Sequence, residues 1–204
     1  MVQDGSLLES SCPFIAEKLG EMEIESIQPY EMLSALPESA RKRFYDMAGF
    51  DYDEFAALFD ASPKKNLVII GTSHGSEESA RQQRDYVARI VEQYGEGYDI
   101  FFKPHPADTS SAGYEIEFPG LTLLPGQMPF EIFVWALIDR VDMIGGYPST
   151  VFLTVPLDKV RFIFAANAES MARPLNILFR DATDVEWMQS VSYTHLRAHE
   201  TEAD

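Results

Sequence analysis

A histidine stands between two prolines in Lys103-Pro104-His105-Pro106, at the end of the apolar run Tyr98-Asp99-Ile100-Phe101-Phe102. The flanking prolines restrict the backbone and remove donors, so the imidazole is aimed by a stiff loop. A histidine titrates near neutrality and can donate a proton to a leaving phosphate. Lys103 adds a point charge for the same anion. The pair stands out in a chain of 204 residues whose net charge is -17.

Other groups could serve the same chemistry. Gly145-Gly146-Tyr147-Pro148-Ser149-Thr150 places two glycines before two hydroxyls at an expected helix start. Free N–H groups, hydroxyls and the helix dipole together favour an anion there, although an ordinary N-cap has the same appearance. Glu131, in the first turn of an apolar helix, either complements that helix's dipole or accepts hydrogen bonds from ribose hydroxyls. Gly71-Thr72-Ser73-His74-Gly75-Ser76 offers donors near the same crevice, and a turn histidine is the plain alternative for His74. Asp4, in Asp4-Gly5, is either a common turn residue or the general base that a hydroxyl nucleophile needs.

These residues need elements to hold them. Runs of β-branched and aromatic residues at 66–72, 98–104, 120–125, 141–146 and 159–165 read as five buried strands. Between the first two, a long helix begins at Ser76 as N-cap and stops at Gly95. An apolar helix begins at Pro129, and a short one at Ser149 or Thr150. Strands alternating with helices predict a Rossmann-like α/β fold with a parallel sheet covered on both faces. In such a sheet ligands bind beyond the carboxyl ends of the strands. That rule alone selects residues 71–76, 103–108, 125–131 and 145–150. Upstream, residues 31–65 read as helical and acidic, stopping at Gly49 and at Ser62-Pro63, with Phe55, Leu58 and Phe59 on one face.

The charge excludes some functions. Asp and Glu number 33 against 16 Lys and Arg, so a nucleic acid partner is not expected. No apolar stretch is long enough to span a bilayer, and no signal peptide is visible. Cys12 is the only cysteine, so no disulfide framework forms and no thiolate metal site is expected. The last residues, Val191 to Asp204, contain His195 and His199 but carry no period that packs on a core. They resemble the in-frame translation of a sequencing-library adapter and are read as a non-native tail.

The ordered set Asp4-Gly5, Gly71-Thr72, Lys103-Pro104-His105-Pro106, Phe130-Glu131-Ile132 and Ser149-Thr150 resembles a bacterial sialyltransferase of glycosyltransferase family 80. That family carries an acidic-Asp-Gly turn, a Gly-Thr-Thr-Thr-Trp loop, Lys-Gly-His-Pro, Phe-Glu-(Val/Ile) and a Ser-Ser pair in this order. The resemblance runs from Asp4 to about Arg180. It implies a GT-B fold, two Rossmann-like domains with the active site between them. Residues 1–30 would then be a remnant of the acceptor-side domain and 31–65 a helical linker region. Residues 66–190 would be a truncated domain that binds the CMP-sugar.

The implied reaction is an inverting transfer of sialic acid from CMP-sialic acid to a sugar hydroxyl of a glycan acceptor, with no metal and no other cofactor. By resemblance, Asp4 would be the general base and His105 the general acid or phosphate stabiliser. Ser149 and Thr150 would hold the phosphate and Glu131 the ribose, with Lys103 and Pro106 also at the nucleotide. His74 stands where the family has an acceptor-contacting tryptophan. Gln3 replaces an acidic residue, Pro104 a glycine and Thr150 the second serine. A cytoplasmic location, extending to the inner face of the membrane, is the expectation. Two alternatives stay open: a capsule-type GT-B transferase using CMP-Kdo or a CDP-activated donor, and an inactive CMP-binding fragment.

Overall fold

In the computed structural model the described residues are 29–189. Asp4 and Cys12, the amphipathic stretch 14–22 and the tail 191–204 lie outside them. Three helices lead in: α1 (Pro29–Ser34), α2 (Glu38–Met47) and α3 (Tyr52–Phe59). Gly49, at φ 69°, ends α2 in the left-handed region that a side chain disfavours. The Asp51 side chain caps α3 by accepting from the Glu54 N–H at 3.0 Å.

Beyond α3 the chain enters the sheet. Its strands are β1 (Lys65–Ile70), β2 (Tyr98–Lys103), β3 (Leu121–Leu123), β4 (Met143–Gly146), β5 (Val160–Ile163) and β6 (Glu186–Trp187). They lie in the order β3-β2-β1-β4-β5-β6, all parallel. The five expected strands are present. The sixth has two residues, too few to show any period. The chain reverses its direction of travel across the sheet between β1 and β4, which makes that junction the topological switch point.

Parallel strands are buried on both faces, and side-chain alternation sorts them. Leu67, Ile69, Ile100 and Phe102 face Tyr86, Val87 and Ile90 of α4 (Glu77–Tyr94). Val68, Ile70 and Phe101 face the other way, toward Phe130, Phe133 and Leu137 of α6 (Phe130–Leu137). A short α5 (Tyr114–Glu117) precedes β3, and α7 (Leu175–Leu178) precedes β6.

The segment expected as a linker is packed into this second layer. Tyr45, Phe50, Phe55 and Phe59 join the same core, with Phe59 stacked on Phe101 at 4.1 Å between ring centroids. Asn66, 5% exposed, ties α3 to the sheet by donating from Nδ2 to the carbonyls of Phe59 and Arg140, both at 2.9 Å. Large aromatic faces explain the docking, because each buries far more area than a linker needs to expose.

Candidate functional site

Register makes the carboxyl ends of the central strands level. Ile70 of β1 pairs with Lys103 of β2 on one side and with Gly146 of β4 on the other. The loops after these strands therefore leave one rim side by side, with adjacent strand ends about 4.8 Å apart. The loop after β3 joins them, since Phe102 pairs with Leu123. All four loops selected by the strand-end rule share this rim.

His105 is exposed on it. Its Nδ1 accepts from the Ala107 N–H at 3.1 Å, and its carbonyl accepts from the Asp108 N–H at 2.8 Å. A ring nitrogen that accepts carries no proton, so the neutral imidazole bears its hydrogen on Nε2. The stiff loop thus presents an N–H donor outward. Asp108 secures the loop in turn. Burial pushes its carboxyl up, but hydrogen bonds from the Ser110 hydroxyl and N–H, from Gln83 and from Ser111 outweigh that and hold it below its usual range.

Gln83 is the best-placed residue that the sequence motifs do not single out. It is fully buried within α4. Its Oε1 accepts from the Thr72 N–H at 3.0 Å, and its Nε2 donates to Asp108 Oδ2 at 3.1 Å. One amide thereby joins the loop after β1 to the loop after β2. A signal for it exists, because position 83 falls on the same helical stripe as Tyr86, Val87 and Ile90. A polar residue on a core stripe needs a partner. Replacing it with leucine leaves the Thr72 N–H without its acceptor. Gln83→Leu is expected to cost about 1–3 kcal/mol in urea unfolding, with an unchanged m-value.

The Lys103 ammonium is buried and engaged by the protein. The residue is 4% exposed, and Nζ donates to the carbonyls of Pro104 at 3.0 Å and Gly126 at 2.9 Å. Burial pulls its pKa down to about 8, against the raising effect of the Glu131 carboxylate. Alternation explains the direction, since Lys103 shares the α6-facing side of β2 with Phe101. Glu131, partly buried in the first turn of α6, lies on that side too. Pro106 is exposed beside His105, and its carbonyl accepts from Gln127 Nε2 at 3.0 Å.

Ser149 caps the turn after β4 as expected, accepting from the Val151 N–H at 3.3 Å. Among the described residues its own hydroxyl donates to no acceptor. The capped element is a single 3-10 turn, Thr150–Leu153, rather than an α-helix. The expected dipole contribution is correspondingly small, because few peptide units align. Thr150 is exposed. Among the described residues no hydrogen bond joins His105 to Ser149 or Thr150. They share the rim, with β1 between their strands.

His74 projects from the loop after β1 against Tyr147 of the loop after β4, at 6.2 Å between ring centroids. Both its ring nitrogens are buried and meet no donor or acceptor among the described residues. Burial raises the Tyr147 phenol's pKa, so that group is neutral. Asp4 is not among the described residues. Among those that are, no three His, Cys, Asp or Glu side chains cluster as metal ligands. None of the helices among them is long and apolar enough to cross a membrane.

No protein-family model matches the chain, and no curated protein does. Solved structures do. The α/β-galactoside α-2,3-sialyltransferase of Photobacterium phosphoreum matches with a TM-score of 0.63 at 23% identity, over 85% of this chain and 49% of that one. The GT-B domain of the Photobacterium damselae sialyltransferase matches at 0.65 and 22%, over 87% and 51%. The 2,6-sialyltransferase of Photobacterium sp. JT-ISH-224, solved with CMP and lactose, matches at 0.66 and 17%, over 90% and 41%. The chain thus spans about half the length of these proteins. At such identities the likeness establishes the fold, an α/β half of the GT-B type.

Proposed function

We propose that this chain is the nucleotide-binding half of an inverting sialyltransferase, resembling glycosyltransferase family 80. It would act on CMP-sialic acid and a hydroxyl of a glycan acceptor. The observation that carries the reading is the His105 loop, which presents an outward Nε2–H at the carboxyl end of β2 beside the switch point. A nucleotide in a doubly wound sheet lies at that end.

In this reading Nε2 of His105 donates to the CMP phosphate as the bond to the sugar breaks. The hydroxyls of Ser149 and Thr150 hold the same phosphate from the far side of β1. Donors aimed where negative charge develops are the usual means of stabilising such a leaving group, and no metal is required for that. The Glu131 carboxylate accepts from the ribose hydroxyls, with Pro106 against the nucleoside. Asp4 is the base that takes the acceptor's proton. The His74 imidazole lies on the acceptor side, in keeping with ring nitrogens that find no partner among the described residues.

Isothermal titration of the chain with CMP, UMP and CDP tests the donor. CMP is expected to bind at least about ten-fold tighter than UMP, a difference of roughly 1.4 kcal/mol. Preference for UMP would exclude CMP-sialic acid.

A further inference from the structure

The loops after β2 and β3 are fastened together at three points around His105. Lys103 Nζ reaches the carbonyls of Pro104, just before His105, and of Gly126, beyond β3. Gln127 Nε2 donates to the carbonyl of Pro106, just after His105. Gly126 itself packs so closely that a Cβ there would lie 3.3 Å from Pro104 Cγ. The same loop runs on into α6, which begins at Phe130 and carries Glu131 in its first turn.

A lysine that serves a mobile anion keeps its ammonium in the open crevice. This one lies beneath the loops, where an unpaired ammonium would be heavily penalised. Its charge is used on two carbonyls, and charge-assisted bonds of that kind are stronger than neutral ones. The nearby Glu131 carboxylate favours the charged form, which links the lysine to the start of α6.

We propose that Lys103 is a positioning residue. Its buried ammonium locks the His105 loop to the Gly126 turn, so that the imidazole and the Glu131 carboxylate are presented as one rigid unit. The assignment rests on the nucleotide reading for the identity of the ligand, while the lock is a property of the protein alone. Lys103 therefore acts through His105 and Glu131 and does not itself touch the nucleotide.

Hydrogen exchange on the ligand-free chain reads the lock directly. Lys103→Met keeps length and volume but removes both bonds. Exchange of amides in 105–108 and 124–128 is expected to rise about ten-fold or more, while amides of β1 stay protected. Gly126→Ala approaches the same joint from the other side with the ammonium intact, and is expected to loosen the same segments less. A merely structural lysine would loosen β1 as well.

Unchanged exchange in both loops of a folded Lys103→Met, together with lost CMP affinity, would overturn the proposal and make the lysine a ligand contact. Unchanged exchange with unchanged affinity overturns it too. If Lys103→Met fails to fold, Lys103→Gln decides, since it keeps a donor but has neither the charge nor the reach for both carbonyls: a rise confined to the two loops supports the lock, and no such rise refutes it. Failure of the wild-type chain to bind CMP removes the nucleotide reading and leaves the exchange result standing.

Discussion

His105→Ala is expected to lower kcat about 10²–10⁴-fold in an active enzyme assembled around this chain, the range for removal of a positioned proton donor. Folding should be untouched, because the ring is exposed and its one hydrogen bond, from Ala107, belongs to a surface loop. The Ala107 bond also allows a sharper test. With Nδ1 accepting, the neutral ring offers only Nε2–H. That form acts by hydrogen bonding to the phosphate, whereas passing a proton takes the imidazolium, whose protonated Nδ1 no longer accepts from Ala107. His105→Gln places an amide donor near the Nε2 position and cannot protonate anything. Recovery of about ten-fold over the alanine variant assigns the role to hydrogen bonding. Equal loss in both assigns it to proton transfer. Steady-state rates at fixed pH decide, and an unchanged rate in His105→Ala would remove the residue from the mechanism.

Much of this rim is legible in the sequence. Strands β1, β2, β4 and β5 announce themselves by apolar runs bounded by glycine, proline or charge. The Ser76 cap and the Gly49 stop read as local chemistry and stand as such. Local chemistry does not convey partnership. Phe55 and Phe59 clearly share a helix face, but nothing nearby reveals Phe101 and Phe133 as the surface they meet. That information is long-range, so helices that dock on the core read locally as a linker. The turn after Ser149 shows the opposite error. Its cap is visible, but the turn closes on i,i+3 bonds, from the Phe152 N–H to the Ser149 carbonyl and from the Thr154 N–H to the Val151 carbonyl, and Pro156 cannot continue it. Charge alone puts Lys103 in the crevice, whereas alternation counted from Phe101 turns it inward.

Side chains that cross between loops explain why the rim keeps its shape, and of these Gln83 and Lys103 are buried. Gln83 joins the first loop to the second, and Lys103 with Gln127 joins the second to the third. The His74 and Tyr147 rings join the first to the fourth. Each is a single polar or aromatic side chain crossing between loops. A network of this kind is rigid only while every member is satisfied. The two buried nitrogens of His74 are the members that find no hydrogen-bond partner among the described residues.

The junction of the first and fourth loops depends on Gly146. It ends β4 beside Ile70, with φ at 128°, a conformation that L side chains rarely adopt. A Cβ at this position would lie 2.6 Å from the Ile70 nitrogen and closer still to its carbonyl oxygen. Neither atom can yield, because the Ile70 carbonyl already accepts from the Tyr147 N–H at 2.9 Å, and the Gly146 carbonyl accepts from the Phe164 N–H at 2.9 Å. Gly146→Ala therefore combines backbone strain of about 1–3 kcal/mol with a steric cost of similar size. The sum, about 2–6 kcal/mol, is a large part of the 5–15 kcal/mol typical of a domain. At about 2–4 °C per kcal/mol for a chain of this length, a loss near 4 kcal/mol lowers Tm by roughly 8–16 °C. Thermal unfolding followed by circular dichroism measures this, and a fall under about 2 °C would mean that β1 and β4 do not approach as closely as the register requires. The fold and the site meet in this residue: the absence of a side chain lets the loops after β1 and β4 leave the sheet side by side, bringing His74 against Tyr147 and Ser149 onto the rim that carries His105.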